Sequence, residues 1–162
     1  MATEPPSIES LIKVRVVPFS GDQVLTLRMA DGNWDHPGGT IEPGENYLDA
    51  LARESIEEAG ALISNFTIFG IFDCVSHAER PYRLHYPHPN FTQVIGFGDV
   101  ELVSQPASAS EGEYEVVEQV DIVNLEDAVE RLRMRSDGHW QAEMYQLAAE
   151  LRSKLNKSQA GF

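Results

Sequence analysis

Cysteine is almost missing from this chain: Cys74 is the only one in 162 residues. No intramolecular disulfide can form, so a buried core has to supply the stability, and a reducing, intracellular setting is expected. Basic residues are scarce too, with 12 Lys and Arg against 26 Asp and Glu and a net charge of -14. Non-specific attachment to nucleic acid or to an anionic membrane needs Lys and Arg to neutralise phosphates, so neither partner is expected. A nucleotide ligand stays open, because a divalent cation can bring the missing positive charge. No apolar run approaches the roughly 18 residues of a membrane span. The start, MATEPPSIES, has no basic segment leading into an apolar one, so no signal peptide is expected. Internal repeats and long linkers are absent as well. These absences make a soluble, cytoplasmic protein the expectation.

What is present suits one domain. With 42% hydrophobic and 23% charged residues, a chain of this length can bury about two thirds of its unfolded surface. Residues 1–9 are expected to be a flexible N-terminus, 10–156 a single domain and 157–162 a flexible tail. LIKVRVVPF after Ser10 alternates as a strand, Gly21-Asp22 turns, and QVLTLRM returns as a second strand. Trp34-Asp35-His36 is a short extended piece, since Pro37 disfavours helix before it. A helix is expected from about Asn46 to Ala59, with Asn46 as N-cap and Gly60 closing it in a left-handed conformation. Strands follow over 63–75, 91–103 and 114–123, the last as a pair or one bent strand. Helices over 125–134 and 139–155 complete the chain. In the last of these, Trp140, Met144, Leu147, Ala148, Leu151 and Leu155 share one stripe read as core. Strands and helices mixed in this order indicate an α/β protein, a mixed sheet flanked by helices.

The stretch from Gly38 to Ala61, GGTIEPGENYLDALARESIEEAGA, is the most informative. On a helical wheel Glu54, Glu57 and Glu58 fall within roughly a 100° arc. Leu48, Ala52, Ser55, Ile56 and Ala59 occupy the other side and are expected to face the sheet. A solvated acidic face is the ordinary explanation of such a run. Against it, Glu54 repels Glu57 and Glu58 at i,i+3 and i,i+4. Glu57 and Glu58 also sit in the last turn, where the helix dipole disfavours anions. A hard divalent cation would turn that repulsion into ligation.

The spacing Gly39, Glu45, Arg53, Glu54, Glu57, Glu58, Gly60 resembles the Nudix box, G-x5-E-x7-R-E-U-x-E-E-x-G-U, at every fixed letter. Trp34 to Gly38 is similar to the W-x-x-P-G that commonly leads into it. Ser55 and Ala61 depart from the box, standing where the family has bulky aliphatic residues, and His36 takes a place often apolar or aromatic.

The resemblance implies a Nudix-type α/β/α sandwich and a MutT-like hydrolase acting on a nucleoside diphosphate linked to a group X. Water would give a nucleoside monophosphate and phospho-X, with two or more Mg²⁺ or Mn²⁺ ions as cofactor. Carried over position by position, Glu57 and Glu58 are the main metal ligands, and Glu54 is a ligand or the group that deprotonates the water. Arg53 positions the carboxylates, Gly38 offers a backbone carbonyl to metal, and Gly39 and Glu45 brace the loop. Relatives often add a carboxylate from outside the box, for which Glu111 or Glu113 is the candidate, with Glu115 behind them. The partner implied is a small nucleoside diphosphate derivative, and a homodimer is left open. A non-catalytic nucleotide-binding module of the same fold is the alternative.

Outside the box, His36 and the segment HAERPYRLHYPHPN (77–90) are candidates for substrate contact, through Tyr82, Arg83 and His85. A ligand-free surface loop explains that segment nearly as well. Zinc on His77, His85 and His88 is disfavoured, since prolines hold the segment extended and no cysteine assists. The downstream proline associated with ADP-ribose hydrolases is absent at Ser76-His77, and Tyr82 arrives late for the dinucleoside polyphosphate mark. The identity of X is not written in these residues.

Overall fold

The computed structural model describes residues 10–106 and 116–160. In chain order the elements are β1 (Leu11–Ser20), β2 (Gln23–Met29), β3 (Trp34–Asp35), β4 (Gly38–Thr40), α1 (Tyr47–Ala59), β5 (Ala61–Val75), β6 (Asn90–Leu102), β7 (Val117–Val123), α2 (Leu125–Arg133) and α3 (His139–Ala160). The strands form one mixed sheet in the order β3-β2-β1-β6-β5, with β4 also paired to β1 and β7 to β2. β1 and β6 run parallel at its centre, from Leu11↔Thr92 to Phe19↔Asp99.

Successive side chains of a strand point to opposite faces, and β1 uses both. Val14 and Val16 join Val94 beneath Ala50 and Leu51 of α1. Val17 and Phe19 join Ile95 and Phe97 on the other face, under Ala128, Leu132, Tyr145 and Ala148 of α2 and α3. A sheet covered by helices on both faces is the α/β/α arrangement expected. Pro18, which has no N–H to give, sits where the edge of β1 passes from β4 to β2. Val16 donates to Pro37 O along that edge, and Phe19 resumes pairing with Val24.

α1 begins and ends as its sequence indicates. The Asn46 side chain accepts from Asp49 N at 2.9 Å, and Gly60 closes the helix at φ 62°. A side chain at Gly60 would also collide with the Ser104 carbonyl, whose own N–H, with that of Val103, bonds Gly60 O.

Three expectations need correction. Leu48, Ala52 and Ile56 do not face the sheet but are exposed, whereas Ala50, Leu51, Ser55 and Ala59 are buried. α1 is rolled so that the side bearing Glu54 and Glu58 lies against β4. In α3, Leu147 and Leu155 are exposed, and the buried aromatic is Tyr145, whose hydroxyl donates to Leu25 O at 2.7 Å. α3 also continues to Ala160, through the first residues of the expected tail. No Gly or Pro interrupts it before Gly161, and Lys157 in the last turn complements the carbonyl end.

Residues 34–40 hold a strand not anticipated from composition. β4 pairs Lys13↔Thr40, Val14↔Gly39 and Arg15↔Gly38, which brings the start of the box onto the sheet.

Candidate active site

The box folds around one cation. Arg53 Nε donates to Glu45 Oε2 at 3.0 Å and Nη2 to Glu45 Oε1 at 2.9 Å, a bidentate pair. Nη1 reaches Glu54 Oε1 at 2.8 Å and Glu57 Oε2 at 3.5 Å, while Nη2 also bonds the Thr40 carbonyl at 3.0 Å. Glu45 Oε1 accepts the Glu42 backbone N–H at 3.1 Å, which closes the loop ahead of α1. Hydrogen bonds from Arg53 hold the Glu45 carboxyl below its ordinary pKa. Glu45 first, and then Glu54, raise that of Arg53 against the opposing effect of its burial.

The glycines explain why the carboxylates can stand so close to the sheet. A Cβ on Gly39 would fall inside the Glu54 side chain, and one on Gly38 would come within 2.9 Å of Val14 O. Gly38 N donates to Glu58 Oε2 at 3.3 Å. Glu54 and Glu58 are therefore braced against β4, whereas the Glu57 side chain is 54% exposed. Ser55, in the first aliphatic position of the box, is buried, and its hydroxyl has no hydrogen-bond partner among the described residues.

Three carboxylates beside backbone carbonyls make a hard-oxygen donor set that fits Mg²⁺ or Mn²⁺. Among the described residues no three carboxylate, imidazole or thiol groups converge closely enough to hold an ion as they stand. Glu54 and Glu57 turn instead toward Arg53, so ligation needs them to rotate away from it. Glu111, Glu113 and Glu115 lie outside the described residues.

The other candidates are dispersed. His36 is buried, with its ring edge-on to Trp140 at 5.5 Å and Nε2 3.0 Å from Arg15 Nη1, so it touches Arg15 rather than open space. Tyr82 is 88% exposed. Arg83 reaches Glu42 at 3.3 Å, near the start of α1, whereas Glu57 and Glu58 are at its end. His85 lines a cleft of about 340 Å³ with Ile41, Glu42, Glu45, Asn46 and Tyr86.

Arg15 and Gln93 were missed in the sequence, although Arg15 carried a signal: it is a charge in the middle of KVRVV, a strand otherwise fit for burial. Asp35 was missed with them. Burial pushes its carboxyl up, but His36 and Arg135 outweigh burial and hold it at about 2. Burial pushes the His36 ring down, against the pull of Asp35.

Comparison with known proteins gives the family. A MutT-like protein of Streptomyces ambofaciens is 35% identical over 72 residues, covering 44% of this chain and 46% of that protein. A putative 8-oxo-dGTP diphosphatase of Bacillus subtilis is 29% identical over 82 residues, covering 50% and 51%. The chain thus spans about half the length of these curated relatives, and less of others. The solved Nudix hydrolase of Nitrosomonas europaea superposes with a TM-score of 0.57 at 18% identity, over 86% of this chain and 90% of that one. No helix among the described residues is long and apolar enough to cross a membrane. The model of the NUDIX domain matches residues 10–147, and with the box carried on α1 and β4 as described, the chain belongs to the Nudix family.

Proposed function

We propose that this chain hydrolyses the diphosphate linkage of a nucleoside diphosphate derivative, with a divalent cation as cofactor. The observation that carries the reading is the bracing of Glu54 and Glu58 against the side-chain-free wall of Gly38 and Gly39, with Glu57 beside them. Relatives named for 8-oxo-dGTP and as MutT-like support a nucleotide substrate.

Glu57 and Glu58 are the main ligands in this reading, with the Gly38 carbonyl, and Glu54 serves as a ligand or as the base. Held by these residues, a divalent cation would supply positive charge to the phosphate oxygens and acidify a water. Arg53 draws Glu54 and Glu57 toward one guanidinium nitrogen and offsets their mutual repulsion, and Glu45 holds Arg53. Water adds to one phosphorus, the bridging P–O bond breaks toward the other phosphate, and the proton of the water passes to a box carboxylate. The products are a nucleoside monophosphate and phospho-X. A role for Glu111 or Glu113, and a cytoplasmic homodimer, stay with this reading as expectations, the dimer being testable by sedimentation.

The experiment is a panel of nucleoside diphosphate derivatives with Mg²⁺ and Mn²⁺, read by phosphate release after a coupling phosphatase. Wild type is expected to turn over at least one member, and Glu57→Gln and Glu58→Gln to lose orders of magnitude with the fold intact. Equal activity of all three proteins would sink the assignment. Silence across the panel, with nucleotide binding retained in calorimetry, favours the non-catalytic module.

A further inference from the structure

Four consecutive residues carry the box along one edge of the sheet. Gly38 N donates to Glu58 Oε2 at 3.3 Å, the Glu54 side chain runs over Gly39, and Arg53 Nη2 bonds the Thr40 carbonyl at 3.0 Å. The next residue, Ile41, donates its N–H to Ile12 O at 2.9 Å and joins the core beneath α1. A cleft of about 340 Å³ opens there, lined by Leu11, Ile12 and Ile41 and by Tyr86 and Pro87 of the segment between β5 and β6. Leu11 and Ile41 pack in the same core as Ala50 and Leu51 of α1, so the cleft lies on the face that α1 covers. Three residues of extended chain, about 10 Å, separate Gly38 from Ile41. Arg53 spans part of that interval, touching Glu45 at the cleft and Glu57 beyond it.

Most polar side chains around this cleft are already committed. Both oxygens of Glu45 accept from Arg53, and Asn46 both accepts from and donates to Asp49. Glu42 differs. Its Oε1 accepts from Arg83 Nη1 at 3.3 Å, which holds the carboxylate at the rim, and its Oε2 has no hydrogen-bond partner among the described residues. Arg83 also stands 5.9 Å from the centre of the Tyr86 ring, and His85 is edge-on to that ring at 4.8 Å. A carboxylate can only accept, and it repels phosphate, so the cleft suits an uncharged ring with N–H donors. Aliphatic side chains beside an aromatic one suit a flat ring. The volume lies at the small end of the range for ligand pockets, about 300–1,000 Å³, which fits one ring system. Among the common bases guanine alone places two donors, N1–H and the 2-amino group, side by side. Adenine and cytosine present an acceptor beside their amino group, and uracil flanks its N–H with carbonyls.

We propose that this cleft is a ring-binding subsite for a guanine-type base of the substrate, with Glu42 accepting from N1–H and the 2-amino group and Tyr86 against the ring. Glu42 and Tyr86 are then specificity-determining residues. This deepens the diphosphatase reading and rests on it for the substrate, but ring binding can be measured without turnover. A base seated over Ile41 directs its ribose past Thr40 and its phosphate toward Arg53 and the box carboxylates, a span within the reach of a nucleoside 5′-phosphate.

The test uses the full chain with Mg²⁺ and the variants Glu42→Gln, Tyr86→Ala and Tyr86→Phe. Folding is checked by circular dichroism, and Tyr86→Leu serves if Tyr86→Ala does not fold. GMP, IMP and AMP are titrated, with binding read by calorimetry and from the ring proton resonances of His85 and Tyr86. IMP lacks only the 2-amino group, and AMP has an acceptor at N1. Wild type is expected to bind GMP about tenfold more tightly than IMP, the effect of one hydrogen bond to a charged group, and AMP more weakly still. Glu42→Gln should remove most of that preference. Tyr86→Ala should weaken all three about tenfold, as loss of a stacking ring does, and Tyr86→Phe, which keeps the ring, should bind like wild type. With a turned-over guanine substrate, both losses should raise KM more than they lower kcat.

Equal affinity of wild type for GMP, IMP and AMP overturns the proposal, and so does a preference for GMP that folded Glu42→Gln retains. Unchanged binding in a folded variant without the Tyr86 ring also overturns it, as does failure of wild type to bind GMP at millimolar concentration. If GMP binding depends on Glu42 and Tyr86 while no substrate is hydrolysed, the hydrolase reading fails and the ring site stands. If hydrolysis proceeds and neither variant changes KM or GMP binding, the ring site fails alone.

Discussion

Arg53 grips Glu45 with two hydrogen bonds, 2.9 and 3.0 Å, across the loop that precedes its own helix. The same guanidinium reaches Glu54 and Glu57, so one cation sets the position of both the loop and the carboxylates. In the proposed reaction Glu45 is a positioning residue, acting through Arg53 and through the Glu42 N–H that it accepts.

Glu45→Gln removes the charged half of that grip. Turnover is expected to fall about 10–100-fold, the range for loss of a partner one layer behind metal ligands. The stability change should stay within about 1 kcal/mol, because the pair is partly solvated. Steady-state kinetics beside a denaturation curve separates the two effects. A stability loss with unchanged kinetics would contradict the role given to Glu45.

Gly39→Ala puts a methyl where the Glu54 side chain now runs. Overpacking of this kind costs about 1–3 kcal/mol, and here Glu54 is the group displaced. Both the urea midpoint and turnover should drop. A variant with wild-type activity would show that Glu54 need not stand against β4.

Ser55→Ala works in the opposite direction. The buried hydroxyl, which has no partner among the described residues, is removed, and alanine is the better helix former. The expected gain is about 0.5–2 kcal/mol, read as a higher melting temperature. A lower one would mean that the hydroxyl has a partner not seen in this structure.

Asp35 makes stability depend on pH in the acid range. Its folded pKa of about 2 lies below the ordinary 3.8, so its contribution is present above the unfolded value and is lost as pH falls through about 2. The shift corresponds to about 2 kcal/mol at neutral pH. The difference in unfolding free energy between wild type and Asp35→Asn should be constant from pH 5 upward and shrink below about pH 4. A difference that does not change with pH would place Asp35 outside the ion pair with Arg135 and His36.

Much of this protein is legible along the chain because the relevant forces are local. Asn46 and Gly60 delimit α1 through caps that each involve a few neighbouring residues. The spacing of Glu54, Glu57 and Glu58 is likewise a property of one helix, visible before anything is folded. The strands read from alternation in LIKVRVVPF and QVLTLRM are found where expected, for the same reason.

The rotation of α1 was not legible. Apolarity placed Leu48, Ala52 and Ile56 inward, yet Ala50, Leu51, Ser55 and Ala59 are the buried residues and Glu54 stands over Gly39. The stripe of α3 failed similarly: Leu147 is exposed beside buried Tyr145 and Ala148 and so lies off the packed face, and Leu155 is exposed near the end of the helix. His36 looked like a pocket residue from its place in the motif, but its ring lies against Trp140, 104 positions later in the chain.

By itself, then, the sequence determined the family, the mixed α/β class and the carboxylate helix, since each rests on spacing within one segment. Tertiary structure alone decided which face of that helix meets the sheet, that Gly38 and Gly39 present a wall without side chains to it, and that Gly38 pairs with Arg15. Those relations depend on strand register and helix roll, which long-range packing sets and no local pattern encodes.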